Sequence, residues 1–184
     1  MKKFELTSET KINVFGKKLF RIKALISFWD VKAGETGGWV EKEGNVNQSG
    51  NAWVSGDAEV SGDAEVYGNA KVYGDAEVSG DAKVYGDAKV YGNAWVSGDA
   101  EVYGNAKVSG DADYTTIHGF GTQFRTTTFF RCKDKAVRVS CGCFLGTIPE
   151  FREQVKKTRS GKIAEEYLMI ADLMEKHFEV KSNE

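Results

Sequence analysis

The sequence predicts a mainly β protein in which a solenoid of stacked coils lies between an N-terminal β cap and a small C-terminal α+β module. Three observations predict this fold. A six-residue unit, Gly-Asp/Asn-Ala-x-Val-Ser/Tyr, repeats without interruption through residues 50–113. Several of its variable positions repeat again every 18 residues, and the composition changes on both sides of the repeat. We therefore expect the cap over residues 1–43, the hexapeptide solenoid over 44–114 and the module over 115–184.

Each six-residue unit is predicted to form one short strand and one tight corner. Glycine occupies every sixth position from Gly50 to Gly110, with alanine from Ala52 to Ala112 and valine from Val54 to Val108. Because successive side chains of a strand point to opposite faces, Ala and Val share the inner face and the residue between them lies outside. Glycine supplies the positive φ of the corner. Stacked coils then bury apolar columns that one short strand cannot bury alone.

The identities of the outward residues predict three units in each coil. With 18 residues per coil, the outward residues form uniform columns of tyrosine, serine and lysine, the last below Trp53: Tyr67, Tyr85 and Tyr103; Ser61, Ser79 and Ser97; Lys71, Lys89 and Lys107. Periods of 12 or 24 residues mix Tyr with Ser in most columns. We expect a triangular prism of about 3.6 regular coils, roughly 17 Å long at about 4.8 Å per strand. Irregular units at 38–43 and 44–49 are expected to extend it.

The repeat resembles that of the hexapeptide-repeat, left-handed β-helix proteins. Its GNAxVS and GDAxVY forms are similar to those of small uncharacterised proteins from prophages of Gram-positive bacteria. In those proteins, segments similar to residues 19–54 and 126–151 flank the repeat. The resemblance implies a left-handed triangular β-helix, although strand crossovers are otherwise right-handed in nearly every case. It also implies a phage accessory role, without a particular activity.

The N-terminal residues are expected to form a cap over the first coil, whose core and strand edges otherwise meet water. Apolar residues alternate over 12–14 and over 20–24, on either side of a polar and glycine-containing segment, which predicts a hairpin. We expect the lid of the core to consist of four residues: Phe28, Trp29, Trp39 and Val40.

The C-terminal module is predicted to contain three strands and two helices. The strands are expected over 114–118, 125–132 and 136–143. Thr147 and Glu150 have the spacing of a capping box, with Pro149 in the first turn, and they predict a helix over 148–158. Apolar residues spaced for one helix face predict a second helix over about 163–178: Ile163, Tyr167, Ile170 and Met174. Residues 181–184 are expected to fray.

The composition predicts a soluble, cytoplasmic protein, which is in the host cytoplasm if a phage encodes it. The chain has 184 residues and a net charge of −2. No apolar run of about 7 to 15 residues follows the first lysines, and no stretch reads as a membrane span. The cysteines are odd in number and lie in one short segment, which favours reduced thiols: Cys132, Cys141 and Cys143. No role is predicted for them.

Charge is divided unevenly along the chain. The repeats at 50–113 hold twelve acidic residues and four lysines, a net charge of −8, whereas residues 1–49 and 114–184 each carry +3. One predicted side, the acidic face, has no lysine: Asp57, Glu59, Asp75, Glu77, Asp111 and Asp113. Direct nucleic-acid binding is not expected, because phosphate contacts need clustered Lys and Arg. An acidic DNA mimic is an alternative, although B-DNA carries about ten charges over roughly 17 Å.

The resemblance also implies a second alternative, a hexapeptide acyltransferase that uses coenzyme A and a histidine base. The repeats contain no histidine and no inserted loop. His118 follows the last unit and could act as a base, whereas His177 is explained by the helix dipole. Two separated histidines do not form a zinc site, and the three cysteines have no fourth ligand at zinc spacing. We expect no catalytic residue, no metal and no cofactor.

The remaining expectation is a non-enzymatic interaction or structural protein that binds or inhibits a host protein, or that associates with itself. One predicted side, the tyrosine face, carries six candidate partner-binding residues: Glu65, Tyr67, Lys83, Tyr85, Glu101 and Tyr103. Its Glu-Lys-Glu column is close to neutral and its rings form an apolar ribbon. Such a surface usually marks an interaction site, and Tyr buries a large area while its hydroxyl still reaches a partner. We expect a second chain or the C-terminal helices to cover it.

Overall fold

The computed structural model describes residues 2–179, except for the side chains of Asp111 and Glu179, and the chain divides into two compact units, Met1–Asp111 and Ala112–Glu184. The first unit contains a β-solenoid of about four turns. The second unit contains an antiparallel sheet and two helices. The predicted fraying of residues 181–184 and the predicted place of the Asp111 side chain lie outside the described part.

The N-terminal residues form the expected hairpin. Strand β1 (Phe4–Ile12) pairs antiparallel with β2 (Lys18–Ala24), and β2 pairs with β3 (Thr36–Val40). The turn is stabilised by Asn13, whose Oδ1 accepts hydrogen bonds from the backbone N–H groups of Phe15 and Lys17. A single 3-10 turn, Glu43–Asn45, follows β3.

Each repeat unit contributes one two-residue strand, as its Ala-x-Val pattern predicts. The strands are β4 (Trp53–Val54), β5 (Glu59–Val60), β6 (Glu65–Val66), β7 (Lys71–Val72), β8 (Glu77–Val78), β9 (Lys83–Val84), β10 (Lys89–Val90), β11 (Trp95–Val96), β12 (Glu101–Val102) and β13 (Lys107–Val108). They stack in parallel into three sheets: sheet I is β1-β2-β3-β5-β8-β11, sheet II is β4-β7-β10-β13 and sheet III is β6-β9-β12.

The 18-residue coil is confirmed by the strand register. Val54 pairs with Val72, Val72 with Val90, and Val90 with Val108. The irregular units do extend the solenoid, but with a different offset: Val40 pairs with Val60, and Val46 bridges to Val66. Two extra residues between Val46 and Val54 account for the offset of 20 instead of 18.

The core of the solenoid is the predicted pair of Ala and Val columns, whose members from Ala52 to Val108 are at most 2% exposed. Each fully buried Val contributes about 1.5 to 3 kcal/mol. The corners require glycine for two reasons. At Gly80, φ is +71°, and an added Cβ would lie 2.9 Å from the backbone nitrogen of Gly98 in the next coil.

Three of the four residues predicted to form the lid are at least half-buried in the cap, and one is not. Trp39 and Val40 are buried in β3, and Phe28 is half-buried. Trp29 is not part of a lid: it is 61% exposed, with a positive φ of 46°. Four residues that the prediction did not include are buried in the hairpin and just before it: Lys3, Phe4, Leu19 and Ile22.

The second unit contains one more strand than predicted. Strands β14 (Tyr114–Phe120), β15 (Arg125–Arg131), β16 (Val137–Cys141) and β17 (Phe144–Thr147) form sheet IV in that order. The predicted strand over 136–143 ends early because Gly142 adopts a φ of +61° and turns the chain back. Cys141 therefore pairs with Phe144 across a two-residue loop.

Both predicted helices are present. Helix α1 (Ile148–Thr158) begins with the expected capping box, in which the backbone N–H of Glu150 donates to Thr147 and the Glu150 carboxylate accepts from the N–H of Thr147. Helix α2 (Gly161–Glu179) begins two residues earlier than predicted. Its apolar residues pack with those of α1 and of the sheet in one core. No helix in the described part of the chain has the length and apolar character needed to cross a bilayer.

Candidate interaction surfaces

The predicted tyrosine column is a continuous stack of rings on sheet III. The centroids of Tyr67 and Tyr85 are 4.7 Å apart and those of Tyr85 and Tyr103 are 4.6 Å apart, with 5° between the ring planes in each pair. All three residues are half-buried. Because the rings cover each other's faces, the stack presents ring edges and hydroxyl groups outward.

A column of alternating charge runs beside this stack. Glu65 pairs in register with Lys83, and Lys83 pairs with Glu101. The pKa of Tyr67 and the pKa of Tyr85 are raised above the usual value, first by burial and then by the negative charge of Glu101. The phenol groups are therefore neutral hydrogen-bond donors at physiological pH.

The acidic face is partly covered and neutralised by the hairpin. The Nζ of Lys11 lies 2.7 Å from a carboxylate oxygen of Glu59, and Arg21 lies 3.5 Å from Asp57. Farther along the same sheet, the ring of Phe15 packs against Trp95 at 5.8 Å. Lys11 and Arg21 come from outside the repeat. The absence of lysine within the repeat therefore did not predict the charge of this side.

The other members of the acidic face have three different environments. Asp75 is exposed. Glu77 is half-buried, and burial together with the charge of Glu59 raises its pKa. Asp111 and Asp113 lie in a 3-10 turn instead of a further repeat strand. Within the second unit, Asp113 is 3.5 Å from Arg131. The structure brings Asp57, Glu59, Asp75 and Glu77 onto neighbouring coils.

A lysine column on sheet II received no role from the sequence. Lys71 pairs in register with Lys89, and Lys89 with Lys107. Lys71 is held by an ion pair with Asp30 and lies over the ring of Trp29, 4.4 Å from its centroid. The loop between β2 and β3 therefore reaches sheet II, as the hairpin reaches sheet I.

A buried lysine closes the start of the solenoid, and sequence reasoning missed it. Lys3 is 2% exposed, and its Nζ donates to the carbonyl oxygens of Ala52 at 2.8 Å and Gly50 at 3.4 Å. Burial lowers the pKa of Lys3 to about 8. Its position beside Lys2 did not indicate burial, because lysine side chains are mostly exposed to solvent.

The candidate acyltransfer base and the cysteines all lie in the second unit. His118 is exposed on β14, and its Nδ1 is 3.1 Å from Thr126 Oγ1. All three cysteines are free thiols, and burial raises the pKa of Cys132 to about 11. Among the described residues, no group of three His, Cys, Asp or Glu side chains is placed to hold a metal ion.

The tyrosine face is the strongest candidate site because its six residues lie together on one sheet. Comparison of the chain with protein-family models and with curated proteins found no match to either.

Proposed function

We propose that this protein is a non-enzymatic binding protein that uses the tyrosine face of its solenoid to associate with another protein surface. The observation that carries the proposal is the in-register stack of Tyr67, Tyr85 and Tyr103 beside a column of alternating charge. Tyrosine is enriched at interfaces because its ring buries apolar area while its hydroxyl keeps a hydrogen-bond partner.

The repeat itself supports a functional reason for the tyrosines. Serine occupies the equivalent position of other units, including Ser61 and Ser79 on sheet I. The fold therefore accepts serine at this position. Three tyrosines in one column are more than the solenoid core requires, since the core consists of Ala and Val.

We extend the proposal to a left-handed, triangular solenoid and to a phage accessory protein that binds or inhibits a host protein in the host cytoplasm. The three parallel stacks of strands support three sides. The resemblance of the repeat to hexapeptide-repeat proteins and to prophage proteins supports the handedness and the phage role.

The test compares tyrosine-to-serine substitutions at three positions of the tyrosine face with the same substitution at two positions on another side of the solenoid. The face variant is Tyr67→Ser/Tyr85→Ser/Tyr103→Ser. The control is Tyr73→Ser/Tyr91→Ser, which removes the other stacked pair, whose centroids are 5.0 Å apart on the sheet II side. Tagged proteins capture partners from a bacterial lysate, and light scattering gives the mass of each purified protein.

We expect the wild type and the control variant to make the same association, with a second copy or with another protein, and the face variant to lose it while it stays folded. Circular dichroism and thermal melting establish the folded state. A face variant that keeps every association of the wild type contradicts the proposal, as does a wild type that makes none.

A further inference from the structure

Sheet III differs from the other two solenoid sheets in what the N-terminal residues place on it. The hairpin contacts outward residues of the solenoid strands of sheet I through the Lys11–Glu59 ion pair and the Phe15–Trp95 contact. The loop after β2 reaches sheet II at Lys71. The cap contacts sheet III at its first coil, where Lys42 pairs with Asp63 and Val46 bridges to Val66.

The spacing of the tyrosine face restricts the kind of partner that can match it along its length. Its rings repeat every 4.6 to 4.7 Å. An extended peptide along the solenoid axis presents side chains of one face about 6.6 Å apart, and a helix presents them about 5.4 Å apart. A stack of in-register parallel strands has the same repeat as this face, and this chain contains such a stack.

The tyrosine face is complementary to itself in one of two orientations. Its outward residues form two columns, Glu65-Lys83-Glu101 and Tyr67-Tyr85-Tyr103, since residues two apart on a strand share a side. A two-fold axis parallel to the solenoid axis brings the charged column of each copy against the tyrosine column of the other. A two-fold axis that lies in the plane of the face and perpendicular to the solenoid axis makes the two solenoids antiparallel. It brings Glu65 against Glu101 and Lys83 against Lys83.

We propose that the tyrosine face binds a second copy of this chain, with the two solenoids side by side and parallel, so that each Glu-Lys-Glu column meets the tyrosine column of the other copy. Tyrosine hydroxyls then donate hydrogen bonds to Glu65 and Glu101, and the hydroxyl oxygen of Tyr85 accepts one from Lys83. The antiparallel arrangement instead places like charges opposite each other, and their repulsion disfavours that interface. A two-fold interface of this kind is closed, so association stops at the dimer.

This inference rests on the proposed function, because it names the partner of the same face. It also explains why sheet III carries alternating charge. A second copy meets a column of mixed charge there, whereas the like-charged lysines of sheet II repel any copy of themselves.

The first measurement is the mass of the wild type by sedimentation equilibrium, for which we expect twice the chain mass of 20.3 kDa. The second compares Tyr85→Glu with Tyr85→Lys, which lose the same ring. In the parallel dimer, residue 85 faces Lys83 of the second copy. We therefore expect Tyr85→Glu to dimerise at least about tenfold more tightly than Tyr85→Lys. Equal weakening overturns the parallel arrangement, because residue 85 then faces its own counterpart.

The third measurement traps the facing residues as disulfides. Equimolar Glu65→Cys and Tyr67→Cys proteins are mixed and oxidised, and peptide mass spectrometry identifies which cysteines are joined. A mixture of Glu65→Cys and Glu101→Cys proteins is the control, since these positions face each other only in the antiparallel dimer. We expect the 65–67 link between copies and no 65–101 link. The opposite pattern overturns the inference.

A monomeric wild type also overturns the inference, but it leaves the proposed function open to its own test. If the monomer captures a different protein and Tyr67→Ser/Tyr85→Ser/Tyr103→Ser loses it, the face binds another partner. If the face variant changes neither mass nor capture, both the inference and the proposed function fail.

Discussion

At the scale of single residues, Lys3 shows how one side chain closes the first coil. The carbonyl oxygens of Ala52 and Gly50 lie at the start of sheet II, and no coil precedes them to supply N–H donors. The ammonium group of Lys3 supplies these donors from within the cap, where Phe28 lies 5.0 Å from it. Burial of this charge is the cost, and the lowered pKa reports it.

We predict that Lys3→Met destabilises the protein by about 1 to 3 kcal/mol, because the carbonyl oxygen of Ala52 is left buried without a donor. Chemical denaturation measures the free energy of unfolding. Lys2→Met is the matched control, since Lys2 is exposed and makes only a surface ion pair with Glu43. Equal effects of the two substitutions contradict the capping role of Lys3.

The stability difference between the wild type and Lys3→Met depends on pH with a definite sign. The folded-state pKa of Lys3 is about 8, below the usual lysine value of 10.5. Between these values the unfolded chain binds the proton and the native protein does not, so stability rises with pH in this window. The stability difference between wild type and Lys3→Met is therefore expected to grow as the pH is raised from about 8 to 10.5. Below pH 8 it is expected to be constant.

At the scale of one strand, β8 separates core from surface within two residues. Val78 is fully buried, whereas Glu77 lies outside and is half-buried. We predict that Val78→Asp lowers the free energy of unfolding by about 4 kcal/mol or more, because it removes a buried Val and places an unpaired carboxylate in the core. A large fall in the melting temperature checks this.

Glu77→Gln is the matched control on the same strand, and its effect is expected to be small and of opposite sign at neutral pH. Burial and the charge of Glu59 raise the pKa of Glu77 in the native protein. Stability contributed by this carboxyl is therefore present below its unfolded pKa and lost as the pH rises through the folded pKa. Any gain from Glu77→Gln should disappear in acid. Equal destabilisation by both substitutions contradicts the inward and outward assignment.

At the scale of the whole molecule, the solenoid combines a six-residue repeat inside with an 18-residue repeat outside. Every unit has the same Ala and Val, so any unit packs on any other. The tyrosine and lysine columns are uniform only when complete coils are stacked. The number of residues in the solenoid can therefore change without harm to the core, whereas the surface depends on whole coils.

We predict that deletion of residues 74–91, one coil, gives a folded protein in which Tyr67 stacks on Tyr103. Deletion of residues 74–79, one unit, keeps the Ala and Val core but moves serine and tyrosine into the same columns. Stability is expected to fall more for the longer deletion, since solenoid stability is roughly a sum over coils. Association through the tyrosine face is expected to weaken in both variants, because each keeps only two stacked tyrosines at the start of that column: Tyr67 with Tyr103 after the longer deletion, and Tyr67 with Tyr91 after the shorter one.

Melting temperatures and light scattering of the two deletion variants check this prediction. Association as tight as that of the wild type in either variant shows that the three-ring column does not form the interacting surface. Far-ultraviolet circular dichroism confirms that both variants retain β structure.

The repeat made much of the first unit predictable. Val54, Val72 and Val90 are equivalent by sequence, so one correct inference about a unit applied to all of them, and the tyrosine and lysine columns followed from the period of 18. Local chemistry was enough for α1 as well, since Thr147 and Glu150 are neighbours in the chain.

The tertiary structure decided what lies against these columns. Lys11 reaches Glu59 and Lys3 reaches Ala52, 49 residues away, because the hairpin folds back onto the coils. The positive φ of Gly142, which divided a predicted strand in two, also depends on the pairing of Cys141 with Phe144. The sequence predicts the neighbours of a residue in the repeat, because those neighbours are the equivalent residues of other units. A contact between two segments that occur once leaves no such pattern.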